Sequence, residues 1–398
     1  MNRIRKLAVI LCGITFLPIS AVSAVDAAPP GSGGQNLAPV DAAAILQDTP
    51  VALLAEFPSG QVLDAREADR RFIPASVTKI MTAYTAFELM DAGKLSPDTR
   101  FLVDQETYDE WYGTGSNMFL GNGDVVTLDM LLHGITAISA NDACIVLAKG
   151  VSGSVGKWTD LMNANARKLG MTNSHFNSPN GWPDNGATYV TAQDLALLSS
   201  ALIARHPQAY HTYFGNNGYS YAGRTMANHD PITGVVPGAD GIKTGFTRQA
   251  GYNFVGSAER DGRRLIMVLA GIETPGQRED VARRYIEWGF EQFRNHRIFP
   301  QGAKVGLAQV QNGVTDSVEL RTLYPVTVSS LPDAPPPELV MVYDGPLRAP
   351  FRQGETVARL QVSVPGMAPY SVPLVAGQDV PQASLFGRLK NGIRGIFS

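Results

Sequence analysis

The helical period of apolar positions is clearest after Pro74, a residue that suits the first turn of a helix. Within Arg71–Met90, the apolar residues at helical spacing are Ile80, Met81, Tyr84, Phe87 and Met90. Asp91-Ala92-Gly93 then supplies a helix stop. The pattern therefore predicts a helix that opens near Ser76.

The surrounding chain divides into strands, a block of helices and further strands. A hairpin is predicted over residues 51–69, and residues 97–124 have the composition of a long loop. Helical patterns cover residues 127–150 with a break near Ser139, residues 158–169, residues 191–204 and residues 279–295. After Gly238 come the strand patterns DGIKTGF, AGYNFVGSAER and RRLIMVLAGI. This order predicts an α+β fold with an antiparallel sheet rather than alternating βαβ units.

From Pro300 the pattern changes to short strands separated by Pro and Gly, which predicts a small all-β domain over residues 300–380. Residues 381–398 follow, and on a helical wheel the apolar residues from Leu385 onward fall within about 120° with the basic residues outside. Such a helix is typical of an in-plane membrane anchor. We expect this tail to attach the protein to the inner-membrane surface; packing on its own β-domain, or a frayed tail, is the alternative.

The N-terminus has the composition of an export signal. Three basic residues among the first six precede an apolar core, and Val22-Ser23-Ala24 approaches an A-x-A-like cleavage site. We therefore expect residues 1–24 to be a signal peptide, residues 25–45 to be a flexible lead-in and the mature protein to be periplasmic. The domain between the lead-in and the β-domain spans residues 46–299.

The composition of the chain limits the possible domain organisation and partners but does not indicate a function. The chain has 398 residues, of which 44% are hydrophobic and 17% charged, and a formal charge of -3, so it can form two folded domains. Neither the charge nor any motif indicates nucleic-acid binding. Cys12 lies in the signal and Cys144 lies in an apolar run, so no intramolecular disulfide is expected and Cys144 is interpreted as buried filler.

Ser76 and Lys79 are three residues apart, so a helix places both side chains on one face. A serine hydroxyl becomes a good nucleophile when a neighbouring amine takes its proton, provided that the amine is partly neutral. Burial and nearby cations lower a lysine pKa in that direction. The spacing alone is weak evidence, because Ser154 and Lys157 match it too.

Two further motifs strengthen the hypothesis. Ser139-Ala140-Asn141 lies at the predicted helix break, and Lys243-Thr244-Gly245 lies on the first strand of the late sheet. Ser178-Pro179-Asn180 also fits Ser-x-Asn, whereas Lys-Thr-Gly occurs once. The ordered set of three motifs is far more specific than any one of them. If the motifs were coincidental, Ser139 and Asn141 would merely cap helices and Lys243 would be solvated.

With these motifs the chain resembles the serine-active penicillin-recognising enzymes, which include penicillin-binding proteins and β-lactamases. PASVTKIMTAY, ISANDA and DGIKTGFT followed by AGYNFV are similar to the low-molecular-mass D-alanyl-D-alanine carboxypeptidases. The similarity covers about residues 45–295, and the β-domain and tail resemble the carboxypeptidase layout as well. It implies a penicillin-binding-protein/β-lactamase-like transpeptidase domain.

The resemblance also implies roles. Ser76 would be the acylated nucleophile, Lys79 the base, and Ser139 a proton relay to the leaving amine. Asn141 would bond a substrate amide or Lys79. Lys243 would lower the Lys79 pKa and attract a carboxylate.

On the same strand, Thr244 would hold the substrate's terminal carboxylate beside Gly245, with Thr247 as a second candidate. The N–H groups of Ser76 and Phe246 would form the oxyanion hole. Arg248 would either anchor the carboxylate or be a surface charge. Two positions depart from the family pattern: Ala140 replaces the usual Gly, and Phe246 stands where His is common.

The leading hypothesis is a serine-type carboxypeptidase that removes the terminal D-Ala from peptidoglycan pentapeptides and is also acylated by β-lactam antibiotics. The alternative is a DD-endopeptidase that cleaves cross-links. A β-lactamase is disfavoured because no Glu-x-x-x-Asn segment lies between Ser139 and Lys243. The six histidines form no H-E-x-x-H motif, so neither a metal nor another cofactor is expected. A non-catalytic envelope module is the rival from another class.

Overall fold

The computed structural model describes residues 4–8 and 41–384. They divide into two compact units, Asp41–Arg294 and the described residues from Asn295 onward together with strand β1 (Ile4–Ala8). Of the tail helix predicted over residues 381–398, residues 381–384 are described and are not helical, since Gln382 forms an isolated β-bridge with Gly313. The rest of that prediction, residues 385–398, lies outside the described residues, as does most of the predicted signal peptide and lead-in.

The larger unit combines helices with antiparallel strands. Its helices are α1 (Ala42–Ile45), α2 (Lys79–Asp91), α3 (Gln105–Trp111), α4 (Leu128–Ala137), α5 (Asn141–Ser152), α6 (Val155–Leu169), α7 (Ala192–Arg205), α8 (Pro207–Tyr213) and α9 (Pro275–Gln292). Its strands are β2 (Val51–Phe57), β3 (Val62–Arg66), β4 (Arg100–Leu102), β5 (Val125–Thr127), β6 (Gly218–Tyr221), β7 (Arg224–Ala227), β8 (Ala239–Thr247), β9 (Gly251–Arg260) and β10 (Arg263–Ile272).

Five of these strands form one antiparallel sheet in the order β3-β2-β10-β9-β8, which leaves β8 at an edge. Side chains alternate between the two faces of a strand. Leu53 of β2 accordingly packs into the main helical core, whereas Leu54 packs beside Gly289 of α9. The sheet is thus covered by the helical block on one face and by α9 on the other. The predicted hairpins β2-β3 and β9-β10 and the α+β class are confirmed.

The segment predicted as a long loop, residues 97–124, is partly regular, so that prediction was wrong for β4 and α3. The Asp104 carboxylate caps α3 by accepting from the N–H of Thr107 at 2.6 Å. A seven-residue helix is too short to give a clear apolar period. Helix α9 begins at Pro275, earlier than predicted, because Thr274 and Gln277 form a capping box.

The smaller unit is all-β, as predicted. Its remaining strands are β11 (Arg294–Phe299), β12 (Lys304–Gln311), β13 (Ser317–Thr322), β14 (Val326–Ser330), β15 (Glu338–Asp344), β16 (Leu347–Arg348), β17 (Thr356–Ser363) and β18 (Tyr370–Ala376). One sheet has the order β1-β15-β17-β18-β13-β12-β16, and β11 pairs with β14. Because β1 falls inside the predicted signal peptide, a chain cleaved after Ala24 would present β15 as the edge strand.

Candidate active site

Ser76 lies in a 3₁₀ turn, Ala75–Thr78, that leads directly into α2. Pro74 and Ala75 are buried whereas Ser76 is partly exposed, so the turn presents its hydroxyl. Ala75 has a φ of 50°, a sterically unfavourable value for a residue with a side chain. The predicted helix therefore opens with a tighter turn, and the α-helix proper begins at Lys79.

The amine of Lys79 is the centre of the site. Lys79 is fully buried, and its Nζ donates to Oγ of Ser76, to Oδ1 of Asn141 and to the backbone oxygen of Asn180, each at 2.8 Å. Three acceptors use all three N–H bonds of an ammonium group. The Ser-x-x-Lys spacing therefore brings the two side chains into contact, and residues far along the chain complete the arrangement.

Burial lowers the pKa of Lys79 from 10.5 to about 8, while nearby Cys144 and Asp142 act in the opposite direction. Burial also lowers the pKa of Lys243 to about 7, and the charge of Lys79 adds to that effect. We expected Lys243 to lower the Lys79 pKa. Burial is the larger cause at Lys79, and the repulsion between the two buried ammonium groups disfavours the doubly charged pair, whichever amine loses its proton first.

Ser139 and Asn141 lie at the junction of α4 and α5, where the apolar pattern breaks. The Asn141 amide is fixed because Nδ2 donates to the backbone oxygen of Thr114 at 3.1 Å while Oδ1 accepts from Lys79. Ser139 has a φ of 63°, and its buried Oγ has no hydrogen-bond partner within residues 41–384. A buried hydroxyl without a partner is available to a substrate group.

Asp142 organises the loop beside Asn141, a role that the sequence did not reveal. Its carboxylate accepts from the N–H groups of Met118 at 3.0 Å and Leu120 at 3.1 Å. Burial raises the pKa of this carboxyl, and the backbone N–H groups oppose the rise. Asp142 thus holds the loop that supplies the oxygen acceptor for the Asn141 amide.

The Lys243-Thr244-Gly245 motif lies on the edge strand β8. Lys243 is buried, and its Nζ donates to the backbone oxygen of Thr244 at 3.0 Å. A Cβ on Gly245 would lie 2.5 Å from the backbone oxygen of Pro74, so glycine lets the strand approach the turn that carries Ser76. The third motif therefore reaches the first one through backbone packing.

The residues after this motif are more open. Phe246 is 49% exposed, and its ring stacks on Tyr252 with centroids 4.2 Å apart. The Thr247 hydroxyl accepts from the N–H of Ala250 at 3.0 Å, so it is already used in a turn. Arg248 is exposed and makes no hydrogen bond or ion pair with any residue that the structure describes.

The segment 178–182 is part of the site. Its Ser178-Pro179-Asn180 matches the Ser-x-Asn pattern, but that match alone is too weak to predict a role. The backbone oxygen of Asn180 accepts from Lys79. Gly181 has a φ of 73°, and a Cβ there would overlap the carbonyl oxygen of Ala75. This loop therefore packs against the turn that presents Ser76, and its Asn-Gly turn was the only sequence signal for it.

Arg278 is a third buried cation that the sequence gave no reason to select. Its Nη2 donates to the backbone oxygen of His229 at 3.2 Å, whereas its Nε has no partner in the described part of the chain. Its guanidinium lies 5.7 Å from the ring centroid of Tyr252, and its charge contributes to the lowered pKa of Lys243. The strand side of the site therefore carries more positive charge than the Lys-Thr-Gly motif alone.

Two further kinds of reactive group are relevant near the site, a cysteine thiol and metal-binding side chains. Cys144 is buried, donates to the backbone oxygen of Ala140 at 3.3 Å, and has a pKa raised to about 12 by burial, so the thiol stays protonated. Across residues 4–8 and 41–384, no three His, Cys, Asp or Glu side chains are grouped to hold a metal ion.

Sequence comparisons agree with the motifs. A family model described as D-alanyl-D-alanine carboxypeptidase matches residues 41–274, and one described as penicillin-binding protein 5, C-terminal domain, matches residues 293–382. The chain is 32% identical over 346 residues to D-alanyl-D-alanine carboxypeptidase DacD of Escherichia coli strain K12, covering 85% of this chain and 88% of the relative. It is 30% identical over 355 residues to DacA of Haemophilus influenzae, covering 87% and 90%.

Solved structures show the same likeness. Penicillin binding protein 5 from Haemophilus influenzae matches with a TM-score of 0.72 and 26% identity, covering 84% of this chain and 98% of that one. Penicillin-binding protein D2 from Listeria monocytogenes, solved in an ampicillin-bound form, matches with a TM-score of 0.53 and 29% identity, covering 61% and 98%. These matches confirm the resemblance seen in the motifs.

Proposed function

The chain belongs to the D-alanyl-D-alanine carboxypeptidase family, and we propose that it removes the terminal D-alanine from peptidoglycan pentapeptides through an acyl-enzyme on Ser76. It is a serine-type hydrolase with the penicillin-binding fold. The observation that carries the assignment of Ser76 is the 2.8 Å contact between its Oγ and Nζ of the buried Lys79.

Lys79 is the base for acylation. A pKa of about 8 leaves a usable fraction of the amine neutral near neutral pH, and the neutral amine accepts the proton of the Ser76 hydroxyl. Asn141 and Asn180 hold Nζ in place while this happens. The alkoxide then attacks the carbonyl carbon between the two D-alanines, and the bond to the terminal D-alanine breaks.

Ser139 carries the proton to the departing amine. Its hydroxyl is buried and has no partner among the described residues, which leaves it free to bond the leaving nitrogen. The N–H groups of Ser76 and Phe246 stabilise the oxyanion, and one such donor typically contributes about 3 kcal/mol. Water then hydrolyses the ester on Ser76 and releases the shortened peptide.

The terminal carboxylate of the substrate binds on the strand side, at Lys243, Thr244 and the backbone around Gly245. Two arginines are candidates for additional charge. Arg248 is exposed and makes no hydrogen bond or ion pair within the described chain. Arg278 is buried, its Nε has no hydrogen-bond partner there, and its charge contributes to the lowered pKa of Lys243. We assign Arg278 the larger share because a buried cation interacts more strongly than a solvated one.

A β-lactam carries a carbonyl and a carboxylate that occupy the same two sides of the site. It would acylate Ser76 and be hydrolysed slowly. The likeness to a structure solved with ampicillin bound supports this reading.

The test is D-alanine release from a pentapeptide ending in D-Ala-D-Ala. We expect wild type to release D-alanine and Ser76→Ala to release none and to lose labelling by a fluorescent penicillin. A wild type that labels but releases no D-alanine would replace the proposal with the DD-endopeptidase alternative, which cross-linked dimers would then test. A wild type that does neither would indicate a binding module.

We also propose that the mature protein is periplasmic and is attached to the membrane surface through residues 381–398. The signal-like N-terminus and the basic amphipathic tail support this. No helix in the described part of the chain is both long and apolar enough to cross a membrane. Deleting Ser384–Ser398 should release the protein from membranes with its activity intact, and a truncated protein that still sediments with membranes would contradict the anchor.

A further inference from the structure

The oxyanion hole proposed above is divided between two elements that are distant in sequence. One N–H belongs to Ser76, in the 3₁₀ turn Ala75–Thr78, and the other belongs to Phe246, on strand β8. Two donors stabilise one oxyanion only when both lie within hydrogen-bond distance of the same oxygen. The turn must therefore be fixed against the strand, and none of the three acceptors that Lys79 contacts lies on β8.

Asn253, on the neighbouring strand β9, bonds the chain just before that turn. It is 1% exposed, and its Nδ2 donates at 2.9 Å to the backbone oxygen of Ile73, which lies 180 residues away in the sequence. Ile73 is followed by Pro74, whose ring fixes φ and so limits the freedom of the connection to Ser76. A hydrogen bond at Ile73 therefore restrains the turn that presents the Ser76 hydroxyl and N–H.

The register of the sheet places Asn253 beside a second contact with the same turn. Asn253 lies directly opposite Gly245 in the antiparallel pair β8-β9, and opposed residues project to the same face of a sheet. On that face a Cβ on Gly245 would lie 2.5 Å from the backbone oxygen of Pro74. The turn thus meets the sheet at the Gly245 backbone and at the Asn253 amide, one residue before the N–H of Phe246.

Strand β10 holds the Asn253 amide from its other side. The Oδ1 of Asn253 accepts from the N–H of Gly271 at 3.0 Å. The β9-β10 register shifts between Leu269 and Ile272, so this N–H lies at an irregularity of the ladder. An amide that accepts from Gly271 and donates to Ile73 can adopt only one of its two orientations. The side chain is therefore a fixed link between the sheet and the turn.

We propose that Asn253 is a positioning residue that sets the separation between the N–H groups of Ser76 and Phe246. It acts through the backbone of the turn and not by touching the substrate. Its removal deletes the hydrogen bonds to Ile73 and Gly271 and lets the turn shift relative to β8. A shift of about 1 Å at a catalytic group can lower the rate about 10²-fold. The inference rests on the proposed function, because it concerns the oxyanion hole of that reaction.

The experiment compares transition-state binding with substrate binding in wild type and Asn253→Ala. The first readouts are kcat/KM for D-alanine release from a pentapeptide and the inhibition constant of N-acetylated 1-aminoethylboronic acid. This boronate forms a tetrahedral adduct with Ser76 that resembles the transition state, with one oxygen in the place of the oxyanion. We expect Asn253→Ala to lower kcat/KM about 10²-fold and to weaken the boronate by a similar factor.

Substrate binding is measured in a background that cannot react. Calorimetry with the same pentapeptide on Ser76→Ala, with and without Asn253→Ala, gives the affinity for the unreacted substrate. The substrate's terminal carboxylate and stem do not depend on the oxyanion hole, so the two Kd values should differ less than about threefold. A loss confined to kcat/KM and the boronate indicates positioning of the hole, whereas an equal loss of peptide affinity indicates a general distortion of the site.

Asn165→Ala is the matched control for the loss of a buried amide. Asn165 is 7% exposed, and its Nδ2 donates to the Thr85 hydroxyl at 3.2 Å, between helices α6 and α2. This variant should change kcat/KM and the boronate inhibition constant less than about threefold. The inhibition constant is measured on the active fraction of the enzyme, so partial unfolding alone leaves it at the wild-type value.

Asn253→Asp separates the two bonds of the amide. A carboxylate of the same size still accepts from Gly271 but has no donor for Ile73, so it should weaken the boronate at least as much as alanine does. Asn253→Ser, whose hydroxyl is too short to span both partners, takes the place of the alanine variant if that one does not fold. A boronate inhibition constant and a kcat/KM within about threefold of wild type in these variants, or an equal loss of peptide affinity, would overturn the inference.

Labelling by a fluorescent penicillin separates this inference from the proposed function. Wild type that labels and releases D-alanine, while the Asn253 variants behave like wild type, rejects the role of Asn253 alone. Wild type that neither labels nor releases D-alanine rejects the proposed function and this inference with it.

Discussion

The helical side and the strand side of the candidate active site are built in contrasting ways. On the helical side Lys79 is fully buried, and its three N–H bonds are engaged by Ser76, Asn141 and Asn180. On the strand side Lys243 and Arg278 are buried as well. Phe246, however, is half-exposed, and Arg248 is exposed with no partner in the described chain. Proton transfer requires a dehydrated amine held in one geometry, whereas a substrate-binding surface must leave some of its groups open for the ligand.

The largest expected effect comes from removing the helical side's amine. Lys79→Met should lower kcat/KM for D-alanine release by at least about 10³, because the proposed base is lost. Penicillin labelling at matched protein concentrations should slow in parallel. A Met variant that acylates at the wild-type rate would mean that another group activates Ser76.

The same variant should be more stable than wild type below about pH 8. Because the folded-state pKa of Lys79 lies below 10.5, the unfolded chain binds more protons between about pH 8 and 10.5, and wild type gains stability as the pH rises through that window. Below about pH 8 the free energy of unfolding of Lys79→Met should exceed that of wild type by about 2 kcal/mol, a value that allows for the acceptors left without a donor. This difference should therefore shrink towards pH 10.5. Denaturant unfolding at pH 6.5 and 10.5 measures this.

The pH profile compares the two lysines directly. With pKa values of about 8 for Lys79 and about 7 for Lys243, a single proton on the pair lies mainly on Lys79, so the active form, with Lys79 neutral and Lys243 charged, is the minor of the two singly protonated states. We expect kcat/KM to be bell-shaped with an optimum between those values. Lys243→Arg keeps the strand-side charge at high pH. At about pH 9, the kcat/KM of this variant, divided by its own maximal kcat/KM, should therefore be about tenfold higher than the same ratio for wild type.

A smaller effect should distinguish the two arginines. Arg278→Gln should raise KM for D-Ala-D-Ala peptides about tenfold, while Arg248→Gln should change it less than about threefold, because exposed charges are screened. Steady-state kinetics at two salt concentrations would check this. The reverse order would assign the carboxylate anchor to Arg248.

The smallest effect is expected at Phe246. The proposed oxyanion hole uses its backbone N–H, which Phe246→Ala retains, so kcat should change by less than about threefold. A hundredfold loss in a folded, penicillin-labelled variant would show that the ring stacked on Tyr252 positions that N–H.

Much of the fold followed from local pattern. The hairpin β2-β3, the break between α4 and α5, and the strands β8 to β10 are where apolar period and turn residues placed them. The misses include β4, α3, α8 and the pair β6-β7, short elements whose formation depends on caps, turns and packing rather than on a repeated apolar face.

By itself the sequence determined the family, the α+β and all-β organisation, and the pairing of Ser76 with Lys79, because a three-residue spacing on a helix is a local property. Only the tertiary structure decided how deeply Lys79 is buried, and burial sets its pKa. Only the tertiary structure, too, brought the Asn180 oxygen to Lys79 and the Arg278 charge to Lys243. Contacts between residues that are distant in sequence depend on how the whole chain packs, and no spacing along the chain encodes them.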